Sequence, residues 1–194
     1  MEDEGRTWFL QSERVALRSF EVDDELFVQK WINDPDVTHF MFYGQKPMSL
    51  RGAQAFIDNH TENPENVVFM FLSRETGNPI GFGGIYGIHR TAHRAEFRIL
   101  IGEKSHWGQG IGTEITQLLT FYGFDRLNLH RIWLGVTSEN KGAIRAYEKA
   151  GYVHEGVLRQ DIFRNGVYYD SVRMGILREE YEERFQKEFR KRFK

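Results

Sequence analysis

A short glycine-rich loop is the segment whose residues point most directly to ligand binding. Trp107-Gly-Gln-Gly-Ile-Gly-Thr113 has glycine at every second position. Glycine permits a tight turn and lets backbone N–H groups approach a ligand closely. Where such a loop opens a helix, the unsatisfied amides and the positive end of the helix dipole suit a pyrophosphate. The loop therefore predicts a phosphate-bearing ligand.

The spacing of the loop separates it from two better-known phosphate loops. It does not match G-x-G-x-x-G, and no Gly-Lys-Ser/Thr follows it. A dinucleotide fingerprint and a P-loop are therefore both excluded. A glycine-rich turn without a ligand is the alternative explanation.

The segment from Asn140 to Tyr152 is the second candidate. Asn140 is a favourable helix N-cap. Tyr147 follows seven residues later, close to two helical turns, so the two side chains share one face. Ala143 and Ala146 are small enough for another molecule to approach that face. The segment suits an elongated ligand, although a tyrosine packed in the core is the alternative.

Composition narrows the kinds of site that the chain can hold. Its 194 residues include no cysteine, and 26 Lys+Arg nearly balance 28 Asp+Glu. The lack of cysteine excludes a disulfide scaffold, a thiolate metal site and a cysteine nucleophile. The net charge of −2 provides no overall positive charge to attract nucleic acid or anionic lipid. His89 and His93 lack an acidic third ligand nearby, so we expect no metal. The acidic start and the lack of a long apolar run predict a cytoplasmic protein without signal peptide or membrane span.

Hydrophobic patterns place the two segments on a framework of strands and helices. Strands are predicted at residues 14–20, 67–72, 80–88, 95–101 and 131–136, followed by a hairpin over 152–177 that turns at Asn165-Gly166. Helices are predicted from residue 23 or 24 to 33, from 49, after the glycine loop to about 127, and over 140–150. This order predicts an α/β or α+β domain with three layers. We assign residues 1–178 to one domain and 179–194 to a charged amphipathic helix.

In this order, the two candidate segments resemble the signatures of the GNAT acetyltransferase superfamily. Trp107–Gly112 resembles its coenzyme A pyrophosphate loop, and Asn140 through Tyr147 to Tyr152 resembles its second signature. Trp107 replaces the usual Arg or Gln, as in the branch that holds ribosomal-protein N-terminal acetyltransferases. Residues 94–98, 124–129 and 155–168 resemble bacterial spermidine N-acetyltransferases.

The resemblance implies a fold, a cofactor and a set of contacts. The fold is a central, mixed, mostly antiparallel twisted sheet flanked by helices, and the activity is acetyl-CoA-dependent N-acetyl transfer without a metal. Acetyl-CoA is expected to contact Leu100, Ile101, Gly102, Trp107, Gly108, Gln109, Gly110, Ile111, Gly112, Thr113, Asn140, Ala143 and Tyr147.

The same resemblance implies roles in the chemistry. Backbone amides around Leu100 to Gly102 would polarise the thioester carbonyl, and Tyr147 would protonate the departing thiolate as general acid. Because the chain has no cysteine, we expect a primary amine to attack directly in a ternary complex.

Glu96 is the candidate general base. On an alternating strand it shares a face with Arg94 and Arg98, while the apolar residues between them face the other way. An alkylammonium with a pKa of about 10 is mostly charged at neutral pH, so a base has a proton to remove. An ion pair with one of the two arginines explains Glu96 equally well.

The amine acceptor is the least determined part of the function. The resemblance favours a polyamine such as spermidine, with a ribosomal-protein N-terminus or a sugar-nucleotide amine as alternatives. The loop Phe40–Tyr43 lines or blocks any groove for a protein N-terminus. A non-catalytic coenzyme A-binding module is an alternative from another class, although the presence of Asn140, Tyr147 and Glu96 argues against it. Each ammonium of a polyamine needs a carboxylate, and the available ones are Glu96, Glu155, Asp161, Asp34 and Asp36.

An aromatic stripe marks the C-terminal segment. Tyr181, Phe185, Phe189 and Phe193 recur every four residues among lysines and arginines. The stripe predicts packing against the rest of the chain or against a second copy in a homodimer. A nucleic-acid partner is the less favoured interpretation.

Overall fold

One sheet runs through the part of the chain that the computed structural model describes, residues 8–193. Its eight strands there are β1 (Leu10–Gln11), β2 (Val15–Arg18), β3 (Val67–Ser73), β4 (Pro79–His89), β5 (Arg94–Ile101), β6 (Arg131–Thr137), β7 (Val153–Arg164) and β8 (Val167–Leu177). Their spatial order is β1-β2-β3-β4-β5-β6-β8-β7. Neighbouring strands are antiparallel except β5 and β6, which are parallel. The predicted mixed, mostly antiparallel sheet is confirmed.

Helices cover both faces of this sheet. They are α1 (Asp24–Asn33), α2 (Leu50–Thr61), α3 (Ile111–Phe121), α4 (Lys141–Lys149), α5 (Arg178–Arg184) and α6 (Gln186–Arg192). On one face α1 and α2 bury a core with Trp31, Met70 and Leu100. On the other face α3 to α6 share a core with Phe97 and Ile132. The three layers agree with the prediction.

The two central strands separate after a short ladder. Residues Arg94–Glu96 of β5 pair with Arg131–Trp133 of β6. Beyond these pairs β5 continues to Ile101 against β4, and β6 continues to Thr137 against β8. The sheet therefore opens between Phe97–Ile101 and Leu134–Thr137, a gap that we call the wedge. The glycine loop and the start of α4 follow its two walls.

The helix after the glycine loop ends differently from the prediction. The α-helical part stops at Phe121, and Tyr122–Arg126 form a π-helical turn. Phe124 of this turn stacks on Tyr181 of α5, with ring centroids 4.8 Å apart. Apolar periodicity does not distinguish the wider turn from an α-helix, so the sequence predicted one continuous helix.

The C-terminal segment forms two helices that break at Phe185. Phe185 has φ of −126°, outside helical values. Tyr181, Phe189 and Phe193 are buried in the core, and Arg190 pairs with Asp125 at 2.5 Å. The aromatic stripe therefore packs against the same chain. The division of the chain at residue 178 stays a prediction.

No helix within residues 8–193 is long and apolar enough to cross a membrane. Residues 1–7, which carry the argument against a signal peptide, and Lys194 lie outside the described part of the chain. The cytoplasmic location stays a prediction.

Candidate active site

The glycine loop presents free amides at the start of α3. Gly108 and Gly110 have φ of +73° and +82°, in the left-handed region that side chains rarely adopt. Gly110 is the N-cap, and no side chain caps the helix. The N–H groups of Ile111, Gly112 and Thr113 therefore have no intrahelical acceptor. They form a cluster of donors at the positive end of the helix.

An ion pair between a half-exposed arginine and a buried glutamate holds this helix start in place. Glu114, only 2% exposed, accepts hydrogen bonds from the backbone N and Nε of Arg14 at 2.9 and 2.8 Å. Arg14 Nη1 also donates to the carbonyl of Gln109 at 2.8 Å. Burial raises the pKa of Glu114, but the hydrogen bonds from Arg14 and Ser12 outweigh it and hold that pKa below its usual value. Local sequence patterns do not predict this pair, because its members lie 100 positions apart in the chain.

The end of β5 forms one wall of the wedge. The N–H of Gly102 donates to the carbonyl of Ile80 at 2.9 Å, so this predicted polarising amide is already engaged with β4. Successive backbone N–H groups of a strand point to opposite neighbours. The N–H of Leu100 therefore also points to β4, and the N–H of Ile101 points into the wedge. The indole N–H of Trp107 donates to the carbonyl of Ile101 at 2.9 Å. The N–H of Ile101 is therefore the predicted amide that faces the wedge.

Tyr147 lies beside the point where the strands separate. Its ring packs edge-on against Phe97, the first β5 residue past the ladder, with centroids 5.9 Å apart. The side chain is 8% exposed, and its burial raises the pKa of the phenol. Within residues 8–193 no hydrogen-bond partner contacts its hydroxyl. The hydroxyl is not among the fully buried side-chain atoms that lack a partner in residues 8–193, so water or a ligand can reach it.

Asn140 begins α4 at the opposite wall of the wedge. Its Oδ1 accepts a hydrogen bond from the amide of Ala143 at 3.1 Å, which confirms the predicted N-cap. Its own amide donates to the carbonyl of Thr137, the last residue of β6. The cap thus fixes the direction of α4 and, with it, the position of Tyr147.

Glu96 forms an ion pair with Arg98, one of the two roles that the sequence predicts for it. Arg98 Nη2 donates to Glu96 Oε2 at 2.5 Å, and this hydrogen bond raises the pKa of Arg98. The guanidinium of Arg98 also lies 5.0 Å from the ring centroid of Tyr86. The side chain of Glu96 is 19% exposed. Its role as a base stays a prediction.

Four aromatic side chains form a wall next to this ion pair. Tyr43 packs against Phe56 with centroids 5.5 Å apart, and Phe56 lies 4.1 Å from the ring of His60. His60 lies 5.7 Å from Tyr86, which pairs with Glu96 across β4 and β5. We call these four residues the aromatic wall. The sequence showed only that three of residues 40–43 are aromatic, because α2 and β4 supply the other members of the wall.

The remaining carboxylates that were predicted for a polyamine also have cationic partners. These pairs are Glu155 with Arg131, Asp161 with Arg173 at 3.3 Å, and Asp34 and Asp36 with Lys104 at 2.8 and 2.9 Å. The hydrogen bond from Lys104 holds the pKa of Asp34 below its usual value. A polyamine ammonium that binds one of these carboxylates therefore shares it with an arginine or lysine of the protein. Among residues 8–193, no three His, Asp or Glu side chains are grouped to hold a metal ion.

Known proteins match this chain over most of its length. The family profile described as "Acetyltransferase (GNAT) domain" matches residues 14–153. The spermidine N(1)-acetyltransferase of Escherichia coli K12 is 31% identical over 167 residues, covering 86% of this chain and 88% of that protein. The protein of the same name from Vibrio cholerae is 31% identical over 169 residues, covering 87% and 95%.

A solved structure extends the match to three dimensions. Spermidine N-acetyltransferase from Vibrio cholerae in complex with CoA and spermine has a TM-score of 0.79 with this chain at 30% identity. The superposition covers 87% of this chain and 98% of that one. The fold predicted from the resemblance is therefore confirmed, and the chain belongs to the GNAT acetyltransferase family.

Proposed function

We propose that this protein transfers an acetyl group from acetyl-CoA to a primary amine of a polyamine such as spermidine. One observation carries the choice of acceptor. Spermidine N-acetyltransferases match more than four fifths of the chain, and one of them has been solved with CoA and spermine. The acceptor of this chain is inferred from those proteins.

The glycine loop and the wedge fit acetyl-CoA. The amides of Ile111, Gly112 and Thr113 have no capping side chain and match the acceptor oxygens of a pyrophosphate. The wedge beside Ile101 offers an open strand edge to the amide groups of the pantetheine arm. We assign the predicted cofactor contacts to these two surfaces.

The residues at the wedge account for each step of the transfer. The amine nitrogen attacks the thioester carbonyl, and the N–H of Ile101 stabilises the negative charge on its oxygen. The carbon–sulfur bond then breaks, and the thiolate takes the phenolic proton of Tyr147. Because burial raises the pKa of Tyr147, the phenol stays protonated at neutral pH and above. Before the attack, one proton of the ammonium leaves through Glu96 or through water, because only the neutral amine has a free electron pair. The nitrogen loses a second proton when the amide forms, and this proton returns to the phenolate of Tyr147 and restores the acid.

Replacement of Glu96 by glutamine tests the proposed base. Glutamine keeps the shape but can neither accept the proton nor pair with Arg98, so we expect kcat/KM for the amine to fall by about 10²-fold. A base also contributes an acidic limb to the pH–rate profile, and the variant should lose that limb. An unchanged profile would leave Glu96 as an ion-pair partner only. Arg98→Gln is the matched control, because it breaks the same pair but keeps the carboxylate and therefore the limb.

A panel of acceptors tests the proposed substrate class. Thiol release from acetyl-CoA is measured with spermidine, spermine, N-terminal peptides and amino-sugar nucleotides. We expect turnover with the two polyamines well above that with the other classes. Background rates with both polyamines, together with turnover of a peptide or sugar nucleotide, would reject the polyamine assignment but keep the acetyltransferase. Background rates with every amine would favour a non-catalytic coenzyme A-binding protein.

A further inference from the structure

A single buried arginine fastens the loop between α1 and α2 to the C-terminal hairpin. Arg164, the last residue of β7, is 8% exposed. Its Nη1 donates to the carbonyls of Met41 and Tyr43 at 2.8 and 2.7 Å. Its Nη2 donates to Thr38 Oγ1 at 3.2 Å. The guanidinium thus holds three points of the loop segment Thr38–Tyr43.

The surroundings of Arg164 are unusual for a buried cation. Among the residues described here no carboxylate pairs with it, and its Nε has no hydrogen-bond partner. Burying a charge without an opposite charge is unfavourable. A guanidinium, however, presents five donors in a rigid fork. A neutral side chain cannot donate to three acceptors of one loop in that way. The three hydrogen bonds that hold the loop therefore offset the cost of burying the charge of Arg164.

A second hydrogen bond ties the same segment to the wedge. Thr137 Oγ1 donates to the carbonyl of Phe40 at 3.0 Å. Thr137 ends β6 and accepts the amide of Asn140, so it lies between the wedge and α4. The segment is therefore fixed to β7 through Arg164 and to β6 through Thr137.

The fastened segment carries one member of the aromatic wall. The carbonyl of Tyr43 accepts the hydrogen bond from Arg164, while its ring packs against Phe56. Burial raises the pKa of the Tyr43 hydroxyl, and the charges of Arg98 and Glu96 act on it as well. The backbone of Tyr43 is thus set by Arg164, and its side chain lies near the ion pair of the proposed base.

We propose that Arg164 is a positioning residue for the amine acceptor: it fixes Thr38–Tyr43 so that Tyr43 forms the wall of the acceptor site beside Glu96. The proposal rests on the acetyltransferase function proposed above. Arg164 acts through Tyr43, so its loss alters the fit of the amine and leaves the glycine loop and acetyl-CoA unaffected.

Arg164→Gln separates these effects. We expect the KM of the amine to rise about tenfold or more, because small displacements of positioning groups are costly, while the KM of acetyl-CoA stays within about twofold. Amide hydrogen exchange in residues 38–43 should accelerate, with exchange in β3 and β4 unchanged. Arg184→Gln makes the same change at an exposed arginine of α5 and should match the wild type in all three measurements.

Thr137→Val removes the second attachment with little change of shape and provides an independent variant if Arg164→Gln does not fold. We expect a rise of about threefold in the KM of the amine and faster exchange at Met41, whose N–H belongs to the same peptide group as the Phe40 carbonyl and donates to the carbonyl of Thr38. Wild-type exchange in the loop of these variants would overturn the proposal, as would faster exchange with an unchanged KM for the amine. A wild-type protein that acetylates no amine would reject the proposed function, a result distinct from either of these.

Discussion

Tyr147→Phe should lower kcat by about 10²–10⁴-fold, the usual contribution of a general acid. The substitution keeps the ring and its contact with Phe97 and removes only the proton that the thiolate needs. The hydroxyl has no partner among residues 8–193, so its removal breaks no hydrogen bond there. Calorimetric affinity for acetyl-CoA should be nearly unchanged, because the loss occurs in the transition state.

The neighbouring tyrosine provides a matched control. Tyr152 is also buried and packs against Phe97, but its hydroxyl shares a hydrogen bond with Thr120 at 3.2 Å. Tyr152→Phe should cost some stability and change kcat only a few-fold. If Tyr147→Phe also stays within a few-fold of the wild type, Tyr147 is a packing residue and the assigned acid is wrong.

Gly110→Val should weaken acetyl-CoA binding by about 10²-fold or more. The residue has φ of +82°, and a β-branched side chain in that region is a strong outlier. The backbone must rotate to relieve the strain, which turns the amides of Ile111 and Gly112 away from the pyrophosphate. Several charge-assisted hydrogen bonds weaken together, each stronger than a neutral one. Calorimetric titration with acetyl-CoA measures the loss.

Gly166→Val controls for strain alone. Gly166 also has φ of +82°, but it lies at the tip of the β7–β8 hairpin. The two variants should lose similar stability, whereas the acetyl-CoA affinity of Gly166→Val should remain within about twofold of the wild type. Equal affinities for both variants would show that the glycine loop does not hold the cofactor.

Local patterns predicted the parts of the site that depend on neighbouring residues. The glycine loop, the Asn140 cap and the position of Tyr147 two turns later follow from helix and turn geometry within short segments. The shared face of Glu96 and Arg98 follows from strand alternation. Each of these features is present in the structure.

Features that join distant segments could not be predicted in the same way. Arg14 meets Glu114 across 100 positions and Arg164 meets Met41 across 123. Before folding, each of these is an ordinary polar residue with many available partners. The break at Phe185 is a related case, since the aromatic stripe continues through it. A tertiary contact decides where such a helix ends, and periodicity does not report that contact.

The short ladder between β5 and β6 also determines how the protein can move. Arg94–Glu96 and Arg131–Trp133 act as the hinge of a fan, with β1–β5 as one blade and β6–β8 as the other. Any opening of such a fan is smallest at the hinge and grows towards Ile101 and Thr137. At this rim the loop segment Thr38–Tyr43 already joins the two blades, through Thr137 of β6 and Arg164 of β7. A ligand that binds to both sets of strands holds them together at the open end of the wedge. The buried core of each set does not have to rearrange.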